Sequence, residues 1–154
     1  MGTLNPNPES PIPNPDGAKP FTAHCPVEVR FRDCDAMGHV NNAVYLTYLE
    51  IARFAYWKAA DIGRLEGDIS YIIARVEIDF RASANAGDVL DVALAVRAIG
   101  RSSFTMEYEI RDEAGRLVST ARSVQVAYDY GANQSVAVPD AIRARISAFE
   151  GVQL

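Results

Sequence analysis

Between Asn41 and Ala60 the chain carries a long helical pattern with almost no polar face. Tyr45, Leu49, Ala52 and Tyr56 recur at helical spacing, while Val44, Leu46, Tyr48, Ile51, Phe54, Ala55 and Trp57 fill the other sides. A helix of this kind is buried, so other elements must wrap it. Asn41 and Asn42 offer N-cap side chains at its start. Glu50 and Arg53, three apart, form a pair on its remaining polar edge. The flanking segments alternate with the period of half-buried strands. One runs from Val27 to Arg32 and leads into a turn, Asp33 to Gly38, whose glycine permits a positive φ. After the helix come Tyr71–Arg81, Val89–Ile99, Phe104–Arg111 and Leu117–Tyr130, with turn residues Gly87-Asp88, Gly100 and Asp112-Glu113-Ala114-Gly115 between them. A short amphipathic stretch, Ala141 to Phe149, places Ile142 and Ile146 four apart. Strand, long helix, then four consecutive antiparallel strands predict a single α+β domain whose sheet wraps one central helix.

The first twenty residues are of another character. They hold Pro6, Pro8, Pro11, Pro13, Pro15 and Pro20, six of the eight prolines in the chain, among Asn, Ser and Gly. Proline at that density removes backbone donors, and almost nothing apolar is present to bury. Residues 1–20 therefore read as a flexible tail and 21–154 as the folded domain. No basic segment followed by an apolar core marks a signal peptide, and no run approaches the ~18 apolar residues of a membrane span. With Lys+Arg 15 against Asp+Glu 20 and a net charge of -5, broad binding to nucleic acid is not expected. Cys25 and Cys34 are too few for a disulfide scaffold and fit no zinc spacing. A compact, acidic, cytoplasmic protein is the expectation.

Chemistry concentrates between Arg30 and Arg53. Asp33, Asp35, His39, Asn41 and Asn42 crowd into ten residues where a strand gives way to a helix. A helix N-terminus presents unpaired N–H groups and a partial positive charge, which suit an oxyanion formed on a carbonyl. A carboxylate beside them is placed to attack that carbonyl or to activate a water. A weak nucleophile such as a carboxylate points to an activated acyl compound, a thioester before an amide. By spacing alone, ordinary capping by these Asp and Asn side chains comes ahead of catalysis as the account of the pattern. Asp33 and Asp35 would point the same way if strand geometry continued through them, and two close carboxylates raise each other's pKa. Asp33 is therefore read as structural and Cys34 as a small buried side chain. His24 and Cys25 have no recognisable partners in the sequence.

The run Asp33-Cys34-Asp35-Ala36-Met37-Gly38-His39-Val40-Asn41-Asn42-Ala43-Val44-Tyr45-Leu46 closely resembles the signature of the hotdog-fold thioesterases of the 4-hydroxybenzoyl-CoA thioesterase type. Its His-Val-Asn-Asn wording is most similar to the long-chain acyl-CoA and acyl-carrier-protein branches. Ala86-Gly87-Asp88-Val89-Leu90 and Arg101-Ser102-Ser103-Phe104 resemble two further, weaker family features, a Gly-Asp turn and a basic-Ser-Phe strand start.

The resemblance implies a hotdog domain that hydrolyses a fatty-acyl or aryl thioester of coenzyme A, with no metal or redox cofactor. It implies that Asp35 is the catalytic carboxylate and that the Tyr45 backbone N–H polarises the thioester carbonyl. His39 supports Asp35, as in a plant acyl-carrier-protein branch whose middle asparagine is replaced here by Met37. Asn42 stands where another branch has a histidine and is a candidate to orient substrate or water. Gly38, Asn41, Arg101 and Ser103 are candidate substrate-binding residues. Arg101 matches one position of a basic cluster that is otherwise depleted, leaving Arg75, Arg81 and Arg97 as further candidates for the coenzyme A phosphates. Tyr48, Phe54, Tyr56 and Trp57 are candidates to set the depth of the acyl pocket. A homodimer, or a tetramer of dimers, with the site at the subunit interface is the implied assembly. An acyl-carrier-protein thioesterase and a non-catalytic acyl-CoA-binding protein are the alternatives.

Overall fold

A computed structural model describes residues 19–62 and 69–154. Except for Lys19 and Pro20, the expected tail lies outside the described residues. Those two residues are held rather than free, since the Arg97 guanidinium donates to the Lys19 and Pro20 carbonyls at 2.8 and 3.1 Å.

The elements are β1 (Ala23–Glu28), α1 (Val44–Ala59), β2 (Ile69–Phe80), β3 (Val89–Ile99), β4 (Ser103–Arg111), β5 (Leu117–Asp129), β6 (Gln134–Ser135) and α2 (Asp140–Glu150). Every strand pairing is antiparallel, and the sheet order is β1-β3-β4-β5-β2, with the short β6 on β5. The last four long strands are thus not a simple meander. β2 pairs with β5 and leaves β3 to pair with β1. This is a hotdog domain, an antiparallel sheet curled round one long helix.

The first strand is displaced from its expected position. It covers Ala23–Glu28, and Phe31–Asp33 turn into a short 3-10 helix instead of continuing it. Pro26 falls inside β1, which is tolerated because β1 lies on the edge of the sheet. His24 does find a partner, with Nδ1 2.7 Å from Asp91 Oδ2 on the neighbouring strand.

The helix lays Tyr45, Tyr48, Leu49, Ala52 and Tyr56 into the concave face. Opposite stand Leu90, Val92, Leu94 and Val96 of β3 and Phe104, Met106, Tyr108 and Ile110 of β4, all essentially inaccessible to water. Near each end of α1 an aromatic pair reaches across to β2. Tyr45 meets Phe80 at 5.2 Å between ring centroids, and Trp57 meets Tyr71 at 5.6 Å. These contacts orient the helix. Its N-terminus lies at the Phe80 end of the sheet, and its C-terminus lies at the Phe104 end, where Trp57 also touches Phe104.

Complete burial of α1 is corrected by the structure. Phe54 is 65% and Leu46 45% exposed, and the expected Glu50–Arg53 ion pair is absent among the described residues. A single sheet covers one side of a helix, so apolar residues on the other side remain open within one chain. The same holds for β2. Ile73, Val76, Ile78 and Phe80 lie in register with the helix-facing row of β5 and β4, yet Ile73 and Phe80 are 41% and 48% exposed.

At the far end, α2 buries Ile142 and Ile146. Its last residue, Glu150, accepts from the Tyr56 hydroxyl (2.5 Å), the Val96 N–H (2.7 Å) and the Thr22 hydroxyl. Leu94 is fully buried at the centre of the concave face. Leu94→Ala is expected to lower stability by about 2–5 kcal/mol, since the cavity it leaves can relax only in part. Urea unfolding should show a lower midpoint with an unchanged slope.

Candidate active site

The loop from Cys34 to Val40 is closed by its own backbone. Cys34 and Val40 form a β-bridge, and the Asp35 N–H donates to the His39 carbonyl at 2.8 Å. The Gly38 N–H donates to the Asp35 carbonyl at 3.0 Å, and the Met37 N–H to Asp35 Oδ1 at 2.8 Å. Gly38 sits at φ +81°, with open space where a Cβ would stand. The backbone torsion, rather than crowding, is therefore what demands glycine here. A neighbouring loop braces this one. The Val40 N–H donates to the Ala84 carbonyl at 2.9 Å, and His39 bridges to Asn85.

This loop delivers Asp35 to the start of α1. Helix geometry begins at Val44 with Ala43 in the capping position, one residue after Asn42 and two after Asn41. Asn41 still organises the entry, because its Oδ1 accepts the Ala43 N–H at 3.0 Å and its carbonyl accepts the Val44 N–H at 2.9 Å. The Tyr45 N–H follows in the first turn, where the helix has no carbonyl of its own to offer. The Tyr45 ring points into the core, and burial raises its hydroxyl pKa. Asp35 is half-buried, and Oδ2 is left over after Oδ1 takes the Met37 N–H. Gly38, His39, Asn41 and Asn42 are exposed along the same loop and helix entry. The arrangement offers a carboxylate oxygen and first-turn N–H groups on one accessible end of the sheet, which suits attack on a carbonyl carbon.

Asp33 and Asp35 do not point the same way, because the strand has already ended. Asp33 is 3% exposed and saturated with donors. Arg30 grips it through Nη2 to Oδ1 (2.9 Å) and through Nε and its own N–H to Oδ2 (both 3.0 Å). The Tyr48 hydroxyl donates to Oδ2 at 2.9 Å. Burial acts to raise the Asp33 pKa, but the Arg30 and Tyr48 hydrogen bonds outweigh it and hold the carboxyl below its ordinary value. The sequence marked Tyr48 as an apolar helix residue and a candidate for the acyl pocket, not as a partner of Asp33. The available signal was its hydroxyl, which requires a partner when the ring is buried.

Other expected residues are placed elsewhere. Arg101 and Ser103 lie at the β3–β4 hairpin, where the Ser103 carbonyl accepts the Gly100 N–H at 2.7 Å. That hairpin is at the C-terminal end of α1, roughly 24 Å from its N-terminus at ~1.5 Å per residue. Within one chain they do not join Asp35. Arg75, Arg81 and Arg97 are engaged with Glu77, Asp79 and Glu107. Tyr48 and Tyr56 are sealed in the core rather than lining an acyl pocket. Among the described residues, no three His, Cys, Asp or Glu side chains converge as metal ligands, and no helix is long and apolar enough to cross a membrane.

A family model described as the Thioesterase-like superfamily matches residues 29–146. A thioesterase from Thermus thermophilus, solved in complex with coenzyme A and Zn, is 38% identical with a TM-score of 0.75. The match covers 85% of this chain and 96% of that one. The acyl-CoA thioesterase of Haemophilus influenzae is 29% identical over 124 residues, 77% of this chain and 90% of that protein. A 1,4-dihydroxy-2-naphthoyl-CoA hydrolase of Synechococcus elongatus is 26% identical over 123 residues, 75% of this chain and 88% of that protein.

Because folding lowers the Asp33 pKa, its stabilisation is complete above the ordinary carboxylate pKa of about 4 and drains as pH falls through the lower folded value. Asp33→Asn should therefore be much less stable than the parent at neutral pH. The gap should narrow progressively below about pH 4, as measured by urea unfolding across the pH range.

Proposed function

The chain belongs to the thioesterase-like superfamily, and we propose that it is an acyl-CoA thioesterase in which Asp35 drives attack on the thioester carbonyl. The observation that carries this reading is the Asp35 carboxylate itself. It is held by the Met37 N–H at one oxygen, left with the other, and set on the loop that runs into α1. As nucleophile it forms an acyl-carboxylate anhydride and expels the coenzyme A thiolate, and water then cleaves the anhydride. As general base it takes a proton from water while the hydroxide adds to the carbonyl. Either route consumes one water and yields the free acid and the coenzyme A thiol. The Tyr45 N–H is assigned to the developing oxyanion, and His39 and Asn42 to orienting water or substrate on the exposed side. Gly38 and Asn41 shape the approach. No cofactor is assigned to this reaction.

The substrate class follows from the relatives, which hydrolyse acyl-CoA and naphthoyl-CoA thioesters, so a fatty-acyl or aryl group is proposed. For the anionic coenzyme A, Arg32 is the candidate cation. It is exposed on the 3-10 turn three residues before Asp35 and stands outside the ion pairs of the described residues. Arg101 and Ser103 can serve this site only if a second copy supplies them. A homodimer formed along β2 is proposed on physical grounds. Its long outer edge has unpaired backbone groups among the described residues, and Ile73 and Phe80 are exposed on its concave side.

Asp35→Asn is expected to lower kcat by about 10²- to 10⁴-fold with little change in KM. The assay follows thiol release from acyl-CoAs of graded chain length and from aryl-CoAs. Unchanged kcat would remove Asp35 from the mechanism, while tight binding without turnover by the parent protein would favour a binding module. For the assembly, sedimentation velocity should give the parent twice the mass of one chain. Ile73→Asp should shift it to monomer and lower its activity with it.

A further inference from the structure

The Asp33 cluster occupies a position that stability alone does not account for. Its backbone carbonyl accepts the Asn41 N–H at 2.9 Å, so Asp33 and Asn41 close the base of the loop that carries Asp35. Its carboxylate meanwhile ties that base in two directions. Arg30 holds it to the segment leaving β1, and Tyr48 holds it to α1, one turn beyond Val44. Tyr48 is itself immobilised, with no exposed surface and an edge-on contact to Tyr45 at 5.9 Å between ring centroids. A rigid path therefore runs from the first turn of the helix through the Tyr48 hydroxyl to Asp33. Asp35 lies two residues further along. The groups that the proposed reaction needs in register, the Asp35 carboxylate and the helix N–H groups, sit at the two ends of this path.

We propose that Asp33, clamped by Tyr48 and Arg30, is a positioning residue that sets the Asp35 carboxylate against the N-terminus of α1. This rests on the reading of Asp35 given above. A buried carboxylate with hydrogen bonds from three separate groups is a stiff joint, because loosening any one leaves charge without compensation in a dry site. Catalysis is sensitive to this stiffness, since a displacement near 1 Å at the reacting group can cost about 10²-fold in rate.

The test uses the intact protein and Tyr48→Phe, which removes the hydroxyl and keeps the ring. Activity is measured well below the melting temperature of each variant, with saturating acyl-CoA. Tyr48→Phe should lower kcat about tenfold with KM unchanged, and in an Asp35→Asn background it should cost nothing further. Should Tyr48→Phe fold poorly, Arg30→Gln probes the same clamp from its half-exposed side and should also lower kcat. A purely structural cluster gives a lower melting temperature with kcat per folded molecule unchanged by Tyr48→Phe; that result overturns the positioning role and leaves Asp35 in place. An Asp35→Asn variant with parental kcat overturns both.

Discussion

A single buried carboxylate joins the end of β1, the loop from Cys34 to Val40 and the start of α1. Asp33 is surrounded by Arg30, the Tyr48 hydroxyl and backbone, and without those donors a charge in that position would be prohibitively costly. The pairing is also directional. Arg30 follows β1, Tyr48 belongs to α1, and Asn41 at the far side of the loop donates to the Asp33 carbonyl. Strand end, loop base and helix start thus share one residue. The exposed turn beyond it, with Asp35, Gly38 and His39, has a fixed foundation on which to stand while remaining open to solvent.

Much of this architecture was legible because the signals were local and repeated. Alternation marked Val89–Ile99 to the residue, and the expected limits of the other long strands fell within two residues of the observed ones. Strand alternation does not encode which strand is whose neighbour, so the pairing of β2 with β5 was missed. The expected first strand failed for a physical reason. Arg30 and Arg32 alternate with Phe31 as a strand should, but the bidentate Arg30–Asp33 contact folds that segment into a 3-10 turn, and Phe31 ends 90% exposed. The motif likewise pointed to Asp35, yet the two-residue spacing that suggested a shared direction for Asp33 and Asp35 had no strand to act through. Arg101 and Ser103 shared a family resemblance with the motif, but resemblance along a chain carries no distance, and the hairpin that bears them lies at the other end of the helix.

The helix shows how composition and environment part company. An apolar helix surface implies burial, but it does not say in how many chains. Tyr45, Tyr48, Leu49, Ala52 and Tyr56 are satisfied by the sheet of the same chain, while Leu46 and Phe54 are not. The concave row of β2 repeats the same imbalance with Ile73 and Phe80.

Charge follows a related logic. With a net charge of -5, the protein as a whole repels an anion such as coenzyme A. The convex face of the sheet does little to change that. Arg75, Arg81, Arg97 and Arg111 are each matched with a carboxylate two residues along the chain or on the neighbouring strand, so their fields cancel over a short range. At the Asp35 end the balance is different. Arg30 is committed to Asp33 and Arg116 to Asp112, whereas Arg32 projects from the turn without an acidic partner among the described residues. The paired arginines therefore contribute little to the attraction of an anion, and of the guanidiniums outside those pairs, Arg53, Arg101, Arg122 and Arg32 among them, Arg32 is the one on the turn that leads into the Asp35 loop: the same turn that buries one carboxylate to anchor the loop leaves one guanidinium facing the solvent beside it.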